Sequence, residues 1–382
     1  MPIYLVFAVS FINGTAVQAI RVVLPLYALH LGASPLTVGI LGASFAVLPL
    51  LLSVPAGKAA DRFGSRWLLI LAALGGSLVM LVPYFEPGLP AIFIAAAIVG
   101  LAFGIYSVSL QNLVGLLSSR DARAQNFSNY SLTNSVANFM GPLIGGLSIE
   151  HSGYDYACLY LAVLTLLPIA LLVIWSGALP GGVRQVRQTS TGIRSLLAEP
   201  GVKKTLAASS LLLTGQDLYR IYMPVYGHAI GLSPSIIGIV LAAFSAAAFV
   251  VRLIMERLIA RFKVERLLAT SFYVAAVCLI LMPLFKDAMM LALISFTFGL
   301  GMGCSQPIIT MLMFSNSPEG RSGEALGLRM TVVHFTRLVG PVIFGAIGSA
   351  LGLFPMFLVN ALMMGAGGFM SQPGTKDRER DR

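Results

Sequence analysis

Apolar runs of membrane-crossing length recur along the whole chain, parted by short polar or charged stretches. A spanning helix needs roughly 20 apolar residues. The pattern predicts twelve such helices, near 3–28, 36–56, 67–85, 90–117, 126–149, 156–177, 204–228, 234–255, 267–285, 288–315, 324–350 and 352–370. The expected fold is therefore all-α and integral to a membrane. The first run starts almost at Met1 without a basic leader, so it reads as a retained helix rather than a signal peptide. The connections leave no room for a soluble domain.

Polar positions inside the runs are unevenly shared. The third, sixth, ninth and twelfth helices are nearly bare, with Ser77, Thr165, Thr270, Ser271 and Asn360 among their few polar side chains. The first, fourth, fifth, seventh, tenth and eleventh are polar-rich. The fifth alone carries Asn126, Ser128, Asn129, Tyr130, Ser131, Thr133, Asn134, Ser135 and Asn138. Bare helices are expected to face lipid, and polar ones a cavity or each other.

The chain also matches itself at one offset, 199 residues. Gly32-Ala-Ser-Pro-Leu-Thr-Val-Gly39 falls on Gly231-Leu-Ser-Pro-Ser-Ile-Ile-Gly238. Pro25, Tyr27 and Arg21 fall on Pro224, Tyr226 and Arg220, and Gly141-Pro142 falls on Gly340-Pro341. A single offset across segments so far apart predicts two repeats of six helices. An even helix count gives both repeats the same orientation, related by an axis along the membrane normal. The expected domains are residues 1–177, a cytoplasmic linker at 178–203 rich in Gly, Ser, Thr and Arg, residues 204–370, and a tail at 371–382.

Composition agrees. The chain is 57% hydrophobic and 10% charged, against about a quarter charged in a soluble domain. The net charge of +10 could point to nucleic acid, but its placement does not. With a cytoplasmic N-terminus, nineteen of 25 Lys and Arg residues fall in cytoplasmic loops or the tail. That bias places both termini in the cytoplasm, as in an inner (plasma) membrane protein, and gives the basic groups anionic lipid as their neighbour. Cys158, Cys278 and Cys304 fall within helices without metal-binding spacing, so neither a metal nor another cofactor is expected.

Residues 57–66 read Gly-Lys-Ala-Ala-Asp-Arg-Phe-Gly-Ser-Arg, a tight charged turn between the second and third runs. This turn resembles the loop between helices two and three of the major facilitator superfamily of transporters. Gly57, Asp61, Arg62, Gly64 and Arg66 match that pattern, while Ala59 and Ser65 depart from it. The resemblance implies that these residues help to switch the access state. The second-half equivalent, Glu256 to Phe262, keeps Arg261 but has Ala260 where Asp61 stands. Gly141-Pro142-Leu-Ile-Gly145-Gly146 resembles the antiporter signature of drug exporters in this family, and Gly340-Pro341 repeats it. Generic close packing of small residues explains the same pattern. Those exporters usually carry a basic residue in the fourth helix, and this chain has none between Leu89 and Ser118.

Asp217 is the one acid found in the predicted helical core, and Arg220 lies three residues on, on the same face. The pair reads either as a proton-coupling acid gated by Arg220 or as a static ion pair. Its repeat mates are Gln18 and Arg21. Arg21 and Arg220 could converge to clamp an anion, or could satisfy helix carbonyls and nearby polar groups. Gln18, Asn134, Asn138 and Gln306 are further candidate substrate contacts. His334, sharing a face with Arg337, is a second candidate proton carrier. The expected function is secondary active transport by alternating access. The first reading is proton-coupled efflux of a small organic solute or drug; the alternative is a uniporter or symporter of an organic anion clamped by Arg21 and Arg220. Partners would be the solute, protons and lipid, with a monomer as the expected form and no enzymatic activity.

Overall fold

The computed structural model describes residues 2–63, 65–119, 122–174, 197, 199–262, 264–317 and 322–372. Among these every long element is helical. We number α1 (Pro2–His30), α2 (Pro35–Phe63), α3 (Ser65–Met80, followed by a short helical turn at Val82–Phe85) and α4 (Leu89–Leu117). One continuous helix, Arg123–Ile174, leaves helical geometry at Gly153 and supplies α5 before that residue and α6 after it. Then come α7 (Pro200–Ala229), α8 (Pro234–Arg261) and α9 (Val264–Leu281). The last three are α10 (Ala288–Gly303 continued by Ser305–Ser315), α11 (Ser322–Leu351) and α12 (Leu353–Ser371).

Among the described residues ten helices are long and apolar enough to cross a membrane. The expected number of twelve would need the Arg123–Ile174 helix to be divided at Gly153 and α7 to be added, whose 30 residues are long enough for a bilayer but whose polar side chains lower its hydropathy. Two boundaries differ from expectation. Residues 57–63 are not loop: α2 continues to Phe63 and α3 resumes at Ser65. The predicted break between α5 and α6 shrinks to one residue. Asp217 is thus not the only helical carboxylate, since Glu150, Asp155 and Glu265 also lie within helices.

The repeat is written in the turns. Among the described residues four glycines have positive φ, and they form two pairs at the 199-residue offset: Gly32 (82°) with Gly231 (83°), and Gly153 (81°) with Gly352 (91°). Only glycine adopts that region without strain. Gly32 ends α1 through bonds from its own N–H to Leu29 and from Ala33 to Ala28; Gly231 ends α7 through bonds to His228 and from Leu232 to Gly227. This is the Schellman closure of a helix end. Ser34 and Ser233 then cap the next helix, accepting from the amides of Thr37 (3.2 Å) and Ile236 (3.5 Å). Pro35 and Pro234 begin it, where a missing N–H costs nothing.

By spatial proximity the chain forms two compact units, Met1–Arg187 with Ile221–Ala242, and Gln188–Arg220 with Ala243–Arg382. In the first, α1 packs along the Arg123–Ile174 helix and α4 packs on α2 and α3. Val6, Val9, Leu69, Ala73, Tyr106, Leu113 and Leu172 close an apolar core. In the second, α9 lies along α12. The bare helices carry large exposed apolar side chains, among them Leu71 and Leu78 on α3, Val163 and Leu167 on α6, Val277 on α9, and Leu362 and Phe369 on α12. That is the surface lipid requires.

Within the first unit the end of α5 meets the start of α8. Gly146 lies against the Pro234 carbonyl, and a Cβ on Gly238 would stand 2.5 Å from the Pro142 carbonyl. Glu150 accepts a 2.9 Å hydrogen bond from the Ser235 amide in the first turn of α8. An anion there also meets the positive end of the helix dipole. Bonds from the side chain and backbone of Ser235, and from Ser233, hold the Glu150 carboxyl below its ordinary range. A carboxyl whose pKa is lower folded than unfolded stabilises above the unfolded value and loses that contribution as pH falls through the folded one. Melting of the full chain should therefore show wild type above Glu150→Gln at neutral pH, with the difference shrinking as pH falls below the ordinary carboxylate range. A difference independent of pH would contradict this role.

Candidate transport site

In the second unit α7 and α11 are joined by two polar rungs. Arg337 donates from Nε to Asp217 Oδ2 at 2.7 Å, with side chains 33% and 13% exposed. Eight residues earlier on each helix, Arg329 Nε donates to Ser209 Oγ at 2.9 Å. Eight residues is about 12 Å of helix. Arg329 also donates to Thr310 (3.2 Å) and Gln306 (2.8 Å) on α10.

The first unit builds the same crossing from neutral groups. Subtracting 199 from Asp217 and Arg337 gives Gln18 and Asn138, and Gln18 donates to Asn138 between α1 and α5. Ser209 and Arg329 map onto Ser10 and Tyr130, and Ser10 bonds Asn134 (3.2 Å), one turn from Tyr130. Packing at the crossing repeats too. A Cβ on Gly141 would stand 2.9 Å from the Thr15 carbonyl, one on Gly145 2.9 Å from the Ala19 carbonyl, and one on Gly340 3.4 Å from the side chain of Thr214. Small residues let these helices approach closely enough for short side chains to bridge them.

The partner of Asp217 differs from expectation. The carboxylate pairs with Arg337 across helices, not with Arg220 three residues along its own helix. Arg220 instead stands over the Phe244 ring, 5.5 Å from its centroid. Its repeat mate Arg21 stands over Phe45 (5.7 Å) and Phe103 (5.2 Å). Phe45 and Phe244 are themselves repeat mates, so each half seats its arginine on its own aromatic ring. A guanidinium over a ring gains about 0.5–2 kcal/mol when desolvated.

The other predicted residues fall into four groups. Gln18, Asn134, Asn138 and Gln306 are engaged within the helix crossings. Gly141, Pro142, Gly145 and Gly146 lie on α5, and Gly340 and Pro341 on α11. Of the switch residues, Gly57, Asp61 and Arg62 belong to the helical backbone of α2, but their side chains lie outside the described residues, as does all of Gly64. Arg66 stands over the Trp67 ring at 5.4 Å. Half-buried His334 lies three residues before Arg337. Among the described residues no three His, Cys, Asp or Glu side chains are placed to hold a metal.

Sequence reasoning missed Arg337 as the partner of Asp217, and gave neither Arg329 nor Glu150 a role. The signal for the first was present: the repeat offset maps one neutral polar pair onto one charged pair.

Comparison with known proteins agrees with this architecture. A sequence model of the Major Facilitator Superfamily matches residues 6–341, and again residues 205–380. The chain is 26% identical over 330 residues to the quinolone resistance protein NorA of Staphylococcus aureus (strain COL), covering 85% of this chain and 84% of that one. It is 24% identical over 366 residues to the multidrug resistance protein MdtG of Salmonella paratyphi A, covering 92% and 89%. Among solved structures it resembles the nucleoside transporter NupG, with TM-score 0.81, 12% identity and 97% and 99% of the two chains covered. A POT family transporter in complex with a thioalcohol-conjugated peptide gives TM-score 0.80 at 13% identity, covering 96% and 94%. At such identities the structural likeness speaks for the fold alone. The family match spans most of the chain, and the protein is a multi-pass membrane transporter of the major facilitator superfamily.

Proposed function

We propose that the protein exports small organic solutes in exchange for protons, with Asp217 as the proton carrier and Arg337 as its internal competitor. The observation that carries this reading is the Asp217–Arg337 pair, partly open to solvent and set between two helices of one unit. An ionised Asp217 is satisfied by Arg337, by a proton, or by the cationic group of a solute. Only one of the three can hold it fully at a time, which is the requirement for exchange. The neutral counterpart, Gln18 with Asn138, holds the same crossing without a titrating group. Coupling therefore needs just one half of the molecule. Relatives named for quinolone and multidrug resistance support the solute class. The segment at 57–66, where α2 ends and α3 begins, would then switch the access state from the cytoplasmic side.

The anion clamp by Arg21 and Arg220 gains no such support, because each guanidinium is seated on a phenylalanine of its own unit. The test is proton release. Adding a lipophilic cation such as ethidium to the purified protein in weakly buffered detergent, at a pH acid enough for a proton to have replaced Arg337 on Asp217, should release protons from wild type and none from Asp217→Asn. Equal release from both would overturn the assignment.

A further inference from the structure

We infer that Arg329, with Gln306 and Thr310, forms a binding site for the carboxylate of an organic solute, separate from the Asp217–Arg337 pair. Arg329 is 4% exposed, deep for a permanently charged side chain. Its hydrogen bonds go to three neutral oxygens, those of Ser209, Thr310 and Gln306. Among the described residues no carboxylate lies within ion-pairing distance of it. The charged group that acts on it is another cation, Arg337, whose own carboxylate is already engaged. Among the described side chains, the seam formed by α7, α10 and α11 thus sets Arg329 and Arg337 against Asp217; Glu324, near the start of α11, lies outside them.

A guanidinium is not required to close this helix crossing. At the matching position the first unit has Tyr130, and its crossing closes with neutral groups. The α10 positions of Gln306 and Thr310 correspond to Ser107 and Gln111 on α4, which bond to each other at 3.0 Å. In the second unit the equivalent pair turns to the arginine instead. Nor does Arg329 reach towards the start of α11. That direction is filled by Val202, Leu206, Met313 and Ala325, a dry cluster. Gln306 and Thr310 are only partly buried, so the guanidinium is approached from their side. Three of its five N–H donors are used by these bonds. A carboxylate replacing the Gln306 amide oxygen would gain a charged, two-point hydrogen bond.

That this anion belongs to a transported solute rests on the exporter reading, so the test uses equilibrium binding without a gradient. The probes are a quinolone carboxylic acid and its methyl ester, measured on the full chain in nanodiscs of zwitterionic lipid. Wild type should prefer the acid. Arg329→Gln should weaken the acid about tenfold or more, the range for losing a charged hydrogen bond, and leave the ester unchanged. Gln306→Glu gives the arginine an internal carboxylate, secures the fold and should produce the same selective loss. Equal losses for acid and ester would make Arg329 structural. No preference in wild type, or acid binding untouched in Gln306→Glu, would overturn the site. Loss of acid binding when anionic lipid is added would assign the site to a headgroup and overturn the solute reading. Proton release through Asp217 is read separately, so either claim can fail while the other stands.

Discussion

Arg337→Asn alone is expected to destabilise the protein, and adding Asp217→Gln is expected to restore what it lost. The single change leaves a carboxylate inside a helix crossing without its cation. Removing one partner of a fully buried pair costs about 3–5 kcal/mol. Arg337 is 33% exposed, so its loss should fall below that range. The double variant rebuilds the Gln18–Asn138 rung of the first unit, a geometry this backbone already uses at the repeat position. A neutral hydrogen bond contributes only about 0.5–1.5 kcal/mol, but it carries no desolvated charge. Thermal melting in detergent should rank the double variant near wild type and Arg337→Asn well below both. A double variant no more stable than the single one would mean that the two crossings are not interchangeable.

The second large effect is on coupling. Asp217→Asn keeps the shape of the side chain and cannot take up a proton. One pH unit across the membrane is worth about 1.4 kcal/mol per proton, or about a tenfold concentration ratio of solute. A coupled exporter converts that into accumulation; an uncoupled one only equilibrates. The variant should therefore lose the whole ratio while downhill flux continues. The stable double variant should fail in the same way, which separates loss of the acid from loss of the fold.

The sequence made the repeat legible because its markers are chemically exacting. Gly32 and Gly231 must take positive φ, and Ser-Pro after each must cap and start a helix, so few substitutions survive there. Lipid-facing helices were legible for a similar reason, since any polar group on them is costly. What the sequence hid was partner choice. Asp217 has an arginine three residues on, and helical spacing favours that pair. The structure turns Arg220 towards Phe244, so the carboxylate meets a residue 120 positions away. Local spacing gives proximity along a helix but not rotamer direction, which the neighbouring helix decides. Arg329 was hidden because its partners are neutral and lie on α7 and α10. The extent of α2 was misread because the charges at 57–63 resemble a loop, yet helices continue past the apolar run where charged groups can reach water.

The most direct test of the central claim is solute accumulation in proteoliposomes under an imposed pH gradient. Wild type should concentrate a lipophilic cation against its gradient by about tenfold per pH unit for each proton exchanged. Asp217→Asn should bring the solute only to equilibrium, at unchanged protein content and with downhill flux retained. If Asp217→Asn still concentrates the cation in response to the gradient, the proton passes elsewhere and the Asp217–Arg337 pair is a structural bond.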